Sequence, residues 1–163
     1  MMHEQKFYTI GVYGSNETSF FDKLRTYQID TFCDIRQRRG MRGSTYAYVN
    51  SRMLQSHLAD MNIHYVHVST LAPHKTTRSV QVTFDMQAGI LKRQRESLSP
   101  EFIQAYQNQC LEDLNEDEFL RNLGSTASNI CLFCVERLPQ ACHRSLLAKY
   151  LIGKGFQVED IIV

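Results

Sequence analysis

The chain has 163 residues and a mass of 18.9 kDa, which fits one domain of ordinary size, so we expect a single domain over residues 1–163. Hydrophobic residues make up 43% and charged residues 21% of the chain, a globular balance that excludes intrinsic disorder for most of it. Eighteen lysines and arginines against seventeen aspartates and glutamates give a net charge of +1, so any electrostatic function must come from local clustering.

Membrane and disulfide signals are absent from the sequence. No apolar run reaches the roughly 18 to 20 residues of a membrane-spanning helix, and residues 1–6 lack the apolar stretch of a signal peptide. The five cysteines are an odd number without the close spacing of a disulfide scaffold. We therefore expect a cytoplasmic protein with free thiols and no membrane partner, whose oligomeric state the sequence leaves open.

In the first half of the chain, predicted strands alternate with predicted helices. Residues 7–13 are rich in aromatic and branched side chains, which is typical of a strand. Apolar residues then recur at helical spacing over 17–28. The same two signals predict a second strand over 31–36, a helix over 51–61 and a third strand over 63–68.

The second half begins with a long segment, 69–128, that contains several helical patterns and no clear strand. Within it, Ser99 is followed by proline, which predicts a helix that begins there. Residues 129–136 form a nearly continuous apolar run, the pattern of a parallel strand covered on both faces, and we predict that this strand is central. A helix over 142–152 and a last strand over 158–162 complete the chain.

This alternation predicts an α/β fold, a single-domain three-layer sandwich with a mostly parallel sheet of about five strands. Two strand orders fit, and both put the first and fourth strands near the centre. In such folds, ligands bind beyond the carboxyl ends of the strands. The chemistry-bearing residues at the predicted strand ends are Gly11, Ser15, Asp34, Arg36, His67, Cys134 and Glu136.

The densest cluster of reactive side chains lies between the central strand and the helix predicted after it. Cys142 is predicted at the start of that helix, where free backbone N–H groups and the helix dipole lower the pKa of a cysteine, so it is a candidate thiolate. His143 and Arg144 could lower that pKa further or hold a phosphate-like group. Glu136 could act as a base or orient one of them.

The cysteines also allow a metal site. Cys131 and Cys134 form a C-x-x-C pair, but an odd offset along a strand points the two thiols to opposite faces, which disfavours a zinc knuckle. Cys134, Cys142 and His143, joined by a distant ligand such as His67, could instead hold zinc or iron, because thiolate and imidazole suit both metals.

A second feature is the basic loop, which we define as residues 36–52. It contains five arginines and no carboxylate, and guanidinium groups bind phosphate bidentately. Tyr46 could stack on a nucleobase. The arginines of the loop are Arg36, Arg38, Arg39, Arg42 and Arg52, and the basic patch could extend to Lys75, Arg78, Lys92, Arg93 and Arg95.

Short motifs spread over nearly the whole chain resemble the family described as domain of unknown function 488. They are Thr9-Ile10-Gly11, Ser15-Asn16, Asp34-Ile35-Arg36, Tyr65-Val66-His67, Cys134-Val135-Glu136 and Cys142-His143-Arg144-Ser145. The last two motifs and their spacing are the most specific. The resemblance implies an α/β domain whose family-specific residues meet at one end of the sheet. It implies no reaction, so function must be argued from the site.

These patterns favour an enzyme-like pocket for a phosphate-bearing ligand, a nucleotide or nucleic acid, with hydrolysis or group transfer as the reaction. The sequence identifies no cofactor. Two alternatives stay open: a non-catalytic nucleic-acid-binding module that uses the basic loop, and a Cys/His metal-binding protein. The predicted catalytic residues are Asp34, Glu136, Cys142 and His143. The predicted ligand-binding residues are Gly11, Ser15, Arg36, Arg38, Arg39, Arg42, Tyr46, His67, Arg144 and Ser145.

Overall fold

A computed structural model describes residues 4–91 and 94–163 of the chain. Lys92 and Arg93, which the sequence suggested as extensions of the basic patch, lie outside the described residues.

Five parallel strands form one sheet at the centre of the molecule. The strands are β1 (Lys6–Ile10), β2 (Thr31–Asp34), β3 (His64–His67), β4 (Asn129–Phe133) and β5 (Gln157–Ile161). Their order across the sheet is β3-β2-β4-β1-β5. The predicted α/β fold is confirmed, and β4 is the central strand with β1 beside it, as its continuous apolar run indicated.

Six α-helices connect the strands in the described part of the chain: α1 (Glu17–Thr26), α2 (Ser51–Asp60), α3 (Lys75–Ala88), α4 (Pro100–Tyr106), α5 (Glu116–Leu123) and α6 (Arg144–Gly153). The predicted start of α4 is confirmed, because the Ser99 hydroxyl accepts a hydrogen bond from the backbone N–H of Phe102 at 3.1 Å. None of the helices in the described segments combines the length and apolar character needed to cross a bilayer.

The helices cover both faces of the sheet. Phe20 of α1 contacts the rings of Phe32 and Phe133, whereas Phe119 of α5 stacks on Phe7 at a centroid distance of 6.2 Å. Phe133 pairs with Ile10 in register, three residues after Phe7, so the two phenylalanines point to opposite faces. Helix α2 joins α1 through a stacked pair of rings, and α6 packs against β1 and β5. The result is the predicted three-layer sandwich.

The strands end earlier than predicted, which brings three chain segments together at the carboxyl edge of the sheet. Regular pairing stops at Ile10, Asp34 and Phe133. Beyond that point the backbone N–H groups of Val12 and Tyr13 both bond to the carbonyl of Val135. The chain therefore turns out of the sheet there, and the side chains that follow each strand can surround a ligand.

Helix α6 begins two residues later than predicted. Its first residue is Arg144, and His143 occupies the N-cap position. Cys142 has φ −132° and ψ 146°, so it lies in extended backbone before the helix. The prediction that the helix N-terminus itself holds Cys142 was therefore wrong.

Candidate functional site

A cavity of about 530 Å³ opens beyond the carboxyl ends of β2 and β4. It lies between the start of the basic loop, helix α3 and the segment that follows β4. Five arginines contribute to its wall: Arg36, Arg38, Arg42, Arg78 and Arg95. Buried side chains line it as well, and we call four of them, Cys134, Glu136, Cys142 and His143, the cavity floor. The structure thus brings part of the predicted strand-end chemistry and part of the predicted basic patch into one place.

Cys142 and His143 form a thiol–imidazole pair in the cavity floor. The Cys142 Sγ lies 3.8 Å from Nδ1 of His143. Nε2 of the same ring lies 3.1 Å from the Ile35 carbonyl, which can only accept, so Nε2 carries a proton and Nδ1 is the ring nitrogen that faces Cys142.

The surroundings of this pair favour its charged form. Burial by itself raises the pKa of the Cys142 thiol, but the side chains of Cys134 and His143 and the charge of Arg144 outweigh burial and hold that pKa well below its usual range. Burial by itself lowers the pKa of His143, but the charges of Cys142 and Glu136 outweigh burial and raise that pKa overall. These contacts favour the thiolate form of Cys142.

Glu136 stands beside this pair and is held by two neighbours. The Cys134 thiol donates to its Oε2 at 3.7 Å, and Nη1 of Arg95 lies 3.4 Å from its Oε1. Arg95 is fixed in turn by Asp85 of α3, whose Oδ2 accepts from Nη2 at 2.6 Å and from Nε at 3.0 Å. Gln81 donates to the other oxygen of Asp85 at 2.8 Å. This chain of bonds fixes the position of the Glu136 carboxylate at the cavity floor.

Asp34 lies behind the cavity wall and holds Arg36 in place. Its Oδ1 accepts from the Arg36 backbone N–H and from Nε, and its Oδ2 accepts from Nη2 at 2.8 Å and from the Tyr65 hydroxyl at 2.7 Å. The guanidinium also lies over the Phe133 ring, 4.7 Å from its centroid. Asp34 is therefore separated from the cavity floor, and its contacts are those of a residue that positions Arg36.

Arg144 is fully buried and fastens the chain segment that follows β4. Its Nη1 donates to the Glu136 carbonyl at 2.5 Å and its Nη2 to the Arg137 carbonyl at 3.2 Å. Gly11 allows this packing, since a Cβ at that position would lie 1.9 Å from the Glu136 carbonyl oxygen. Both residues, predicted to bind ligand, contact the segment that carries Glu136.

The remaining predicted residues are not among those that line the cavity. His67 places Nε2 2.8 Å from the Arg36 carbonyl, and the Ser145 hydroxyl donates to the Cys142 carbonyl at 2.9 Å. The hydroxyl of Ser15 bonds to the Val12 carbonyl and lies 2.7 Å from that of Tyr48. The Tyr46 hydroxyl accepts from the Gly14 N–H at 3.0 Å, and Arg39 lies 3.5 Å from the Tyr65 hydroxyl.

Three donor atoms suited to a metal ion converge in the cavity floor. The Sγ atoms of Cys134 and Cys142 and a ring nitrogen of His143 all lie within 4.8 Å of one another. His67, the distant ligand suggested by the sequence, is outside this group. Cys131 is enclosed in the core next to Tyr8 in register, and burial raises the pKa of its thiol.

Sequence reasoning missed the residues that support the floor from the long segment between β3 and β4. Gln81 and Asp85 stand four positions apart on α3 and are buried together, and Tyr106 packs its ring 5.3 Å from that of His143. The spacing of Gln81 and Asp85 on one helical face was visible in the sequence. This polar face points inward because Arg95 pairs with Asp85. No local pattern in the sequence predicts where Arg95 lies.

Comparison with known proteins assigns the chain to a family. Residues 17–151 match the family model described as Domain of unknown function DUF488. The matched range contains the whole cavity floor and all five arginines of the wall. Neither the curated proteins nor the solved structures include a match to the chain. Because the family match covers most of the sequence, the protein belongs to the DUF488 family, as its motifs suggested.

Proposed function

We propose that this protein is an enzyme that binds a small phosphate-bearing substrate, such as a nucleotide, in the arginine-lined cavity and carries out hydrolysis or group transfer at the cavity floor. The observation that carries the proposal is the position of the reactive Cys142–His143 pair in the same cavity wall as five arginines. An anion bound by the arginines would be held next to the side chains that can react with it.

The electrostatics of the wall support an anionic ligand. Asp34 pairs with Arg36, and Asp85 and Glu136 pair with Arg95. Even so, two buried guanidinium nitrogens at the cavity, Nη1 of Arg36 and Nε of Arg78, make no hydrogen bond to the described residues. Such donors carry a desolvation cost of about 1–3 kcal/mol each. A phosphate oxygen within their reach would offset that cost.

The floor supports a reaction as well as binding. A thiolate at Cys142 and a carboxylate at Glu136 are two groups of the kind that attack a substrate, activate a water or carry a proton. Both are buried, which strengthens their electrostatic effect on a bound substrate.

Calorimetric titration of the full chain with pyrophosphate and with adenosine and guanosine di- and triphosphates tests the binding. Each lost guanidinium–phosphate bond is worth about 1.5–3 kcal/mol, so Arg78→Met should weaken the best of these probes about tenfold or more. Arg121→Met on α5 is the matched control, because Arg121 is an exposed arginine outside the cavity wall. Affinity that is absent for every probe, or unchanged in Arg78→Met, would refute the proposal.

Turnover of any probe that binds then tests the floor. Cys142→Ser and Glu136→Gln should fold normally, keep binding and lose product formation. Full turnover by both variants would show that the chemistry assigned to the floor is wrong, even where the binding arm succeeds.

A second candidate function is a non-catalytic nucleic-acid-binding module, which is favoured by the exposure of Arg38, Arg42 and Arg52 along the basic loop. It predicts that affinity for a short single-stranded RNA falls steeply with salt and is lost when Arg38, Arg39 and Arg42 are all changed to alanine. Unchanged RNA binding by that triple variant would exclude this candidate. The Tyr46 hydroxyl is already bonded to Gly14, which ties that ring to the fold.

A further inference from the structure

We infer that Cys134, Cys142 and His143 form a Zn²⁺ site in the cavity floor, with the fourth coordination position directed at the cavity. The two Sγ atoms and the ring nitrogen lie within 4.8 Å of one another. Zinc bonds of about 2.3 Å to sulfur and 2.0–2.1 Å to nitrogen put tetrahedral ligand atoms about 3.5–3.8 Å apart. Cys142 Sγ and His143 Nδ1 already stand 3.8 Å apart, so small side-chain rotations complete the set.

The hydrogen bonding of His143 supports its role as a ligand. A histidine that binds a metal through one ring nitrogen normally donates the other N–H to a carbonyl or carboxylate, which fixes the tautomer and the ring orientation. Here Nε2 lies 3.1 Å from the Ile35 carbonyl. Nδ1 is thereby left as the donor atom that faces Cys142, in the arrangement that a zinc ligand requires.

The charge balance of the site also fits zinc. Two thiolates and a neutral imidazole exactly cancel the charge of one Zn²⁺, which matters because all three side chains are buried. Starting from the charged Cys142–His143 pair, binding displaces the Cys134 thiol proton and the extra imidazole proton to solvent, with no change of oxidation state.

The open position and Glu136 give the site a role that rests on the proposed function. Cys134, Cys142 and His143 all line the cavity, so a fourth ligand would come from the side where substrate binds. Glu136 lies 3.7 Å from the Cys134 sulfur and is already held by Arg95. Two cysteines, one histidine and a nearby glutamate that is not a ligand form the set that activates water in zinc-dependent deaminases. On this assignment Cys142 is a ligand, Glu136 is the base, and the reaction is a hydrolysis.

Metal analysis of the full-length, untagged protein purified without chelator tests the site. We expect about one Zn²⁺ per chain, and proton release when Zn²⁺ is added back to the folded, metal-free protein. Replacement by Co²⁺ should give the charge-transfer absorption of thiolate ligands. Cys134→Ser and Cys142→Ser should each weaken Zn²⁺ binding about a hundredfold or more, since even an outer-shell change costs about 10- to 100-fold.

Cys131→Ala is the matched control, because it removes the other half of the C-x-x-C pair from the opposite face of β4 and should leave zinc binding unchanged. The inference is overturned if folded wild-type protein contains no metal and binds added Zn²⁺ no better than Cys134→Ser does. Loss of zinc in a folded Cys131→Ala protein would also overturn it.

The zinc site and the proposed function can be refuted independently of each other. Zinc is measured without any substrate, whereas phosphate-bearing probes are titrated into wild type and Arg78→Met. Probe binding without zinc overturns the metal site and leaves the enzyme proposal with Cys142 as nucleophile. Zinc without probe binding overturns the phosphate-bearing substrate and supports the metal site alone.

Discussion

Replacing Gly11 with alanine should break the contact that holds the segment after β4 against the end of β1. An alanine Cβ at this position would lie 1.9 Å from the Glu136 carbonyl oxygen and 3.2 Å from Nη1 of Arg144. Backbone atoms do not approach a Cβ closer than about 3 Å, so the Glu136 carbonyl must move by more than about 1 Å. That carbonyl is the acceptor for the buried Arg144 guanidinium.

The cost of this displacement follows from the contacts that it disturbs. Forcing a methyl group into a packed region costs about 1–3 kcal/mol. Weakening a hydrogen bond from a buried, charged guanidinium adds about 1.5–3 kcal/mol. We therefore expect Gly11→Ala to lower the free energy of unfolding by about 2.5–6 kcal/mol, a large part of the roughly 5–15 kcal/mol that stabilises an ordinary domain.

Urea unfolding of Gly11→Ala, followed by circular dichroism, measures this loss. Gly153→Ala is the control, because nothing lies within 4 Å of the Cβ that it adds at the end of α6. Its effect should be neutral or stabilising, since alanine favours helix over glycine by about 1 kcal/mol. A Gly11→Ala protein within about 0.5 kcal/mol of wild type would refute the reasoning from this contact.

Three further predictions concern buried and half-buried groups outside the cavity floor. Asp34→Asn should lower the free energy of unfolding by about 3–5 kcal/mol in urea, because Arg36 then keeps a buried charge without its carboxylate; a change below about 1 kcal/mol would contradict this. Burial, together with the Asp34 charge, raises the pKa of Tyr65 to about 12, although Arg39 opposes this. Folding favours the neutral phenol, so the contribution of Tyr65 to the free energy of unfolding is complete below pH 10, the ordinary pKa of tyrosine, and is lost as the pH rises towards 12. Tyr65→Phe should therefore make the free energy of unfolding depend less on pH over that range. An unchanged slope of unfolding free energy against pH would contradict this. Burial raises the pKa of the Cys33 and Cys131 thiols, so native protein at pH 8 should leave both unlabelled by a disulfide reagent, as peptide mass mapping would show; fast labelling of either would contradict their burial.

The fold was predictable because its strongest signals are local. The apolar run of β4 needs cover on both faces, which only a central strand has. The capping pair of Asn16 and Ser19 begins α1, and Ser99 with its following proline begins α4. The ends of the strands were less predictable, because Gly11 leaves the sheet through a contact with Glu136, far along the chain.

The site was predictable only in part for a related reason. The rule that ligands bind at carboxyl strand ends selected Glu136 correctly as a cavity residue, and alternation paired it with Cys134. The same rule selected Asp34, but Arg36 and Tyr65 occupy both of its oxygens and turn it away from the floor. The position of a residue on its strand fixes where its Cα lies, whereas its hydrogen-bond partners decide whether its polar atoms face the cavity.

Although the net charge of the chain is only +1, acidic and basic clusters are separated along the strand direction. The first turn of α5 carries Glu116, Asp117 and Glu118, and the next residue, Phe119, stacks on Phe7 near the amino end of β1. The five arginines of the cavity wall lie at the opposite, carboxyl edge of the sheet. On the proposed function, this arrangement would favour the approach of an anion to the cavity even at a net charge of +1. Composition averages the two edges, whereas the topology of the sheet assigns each charged cluster to its own edge.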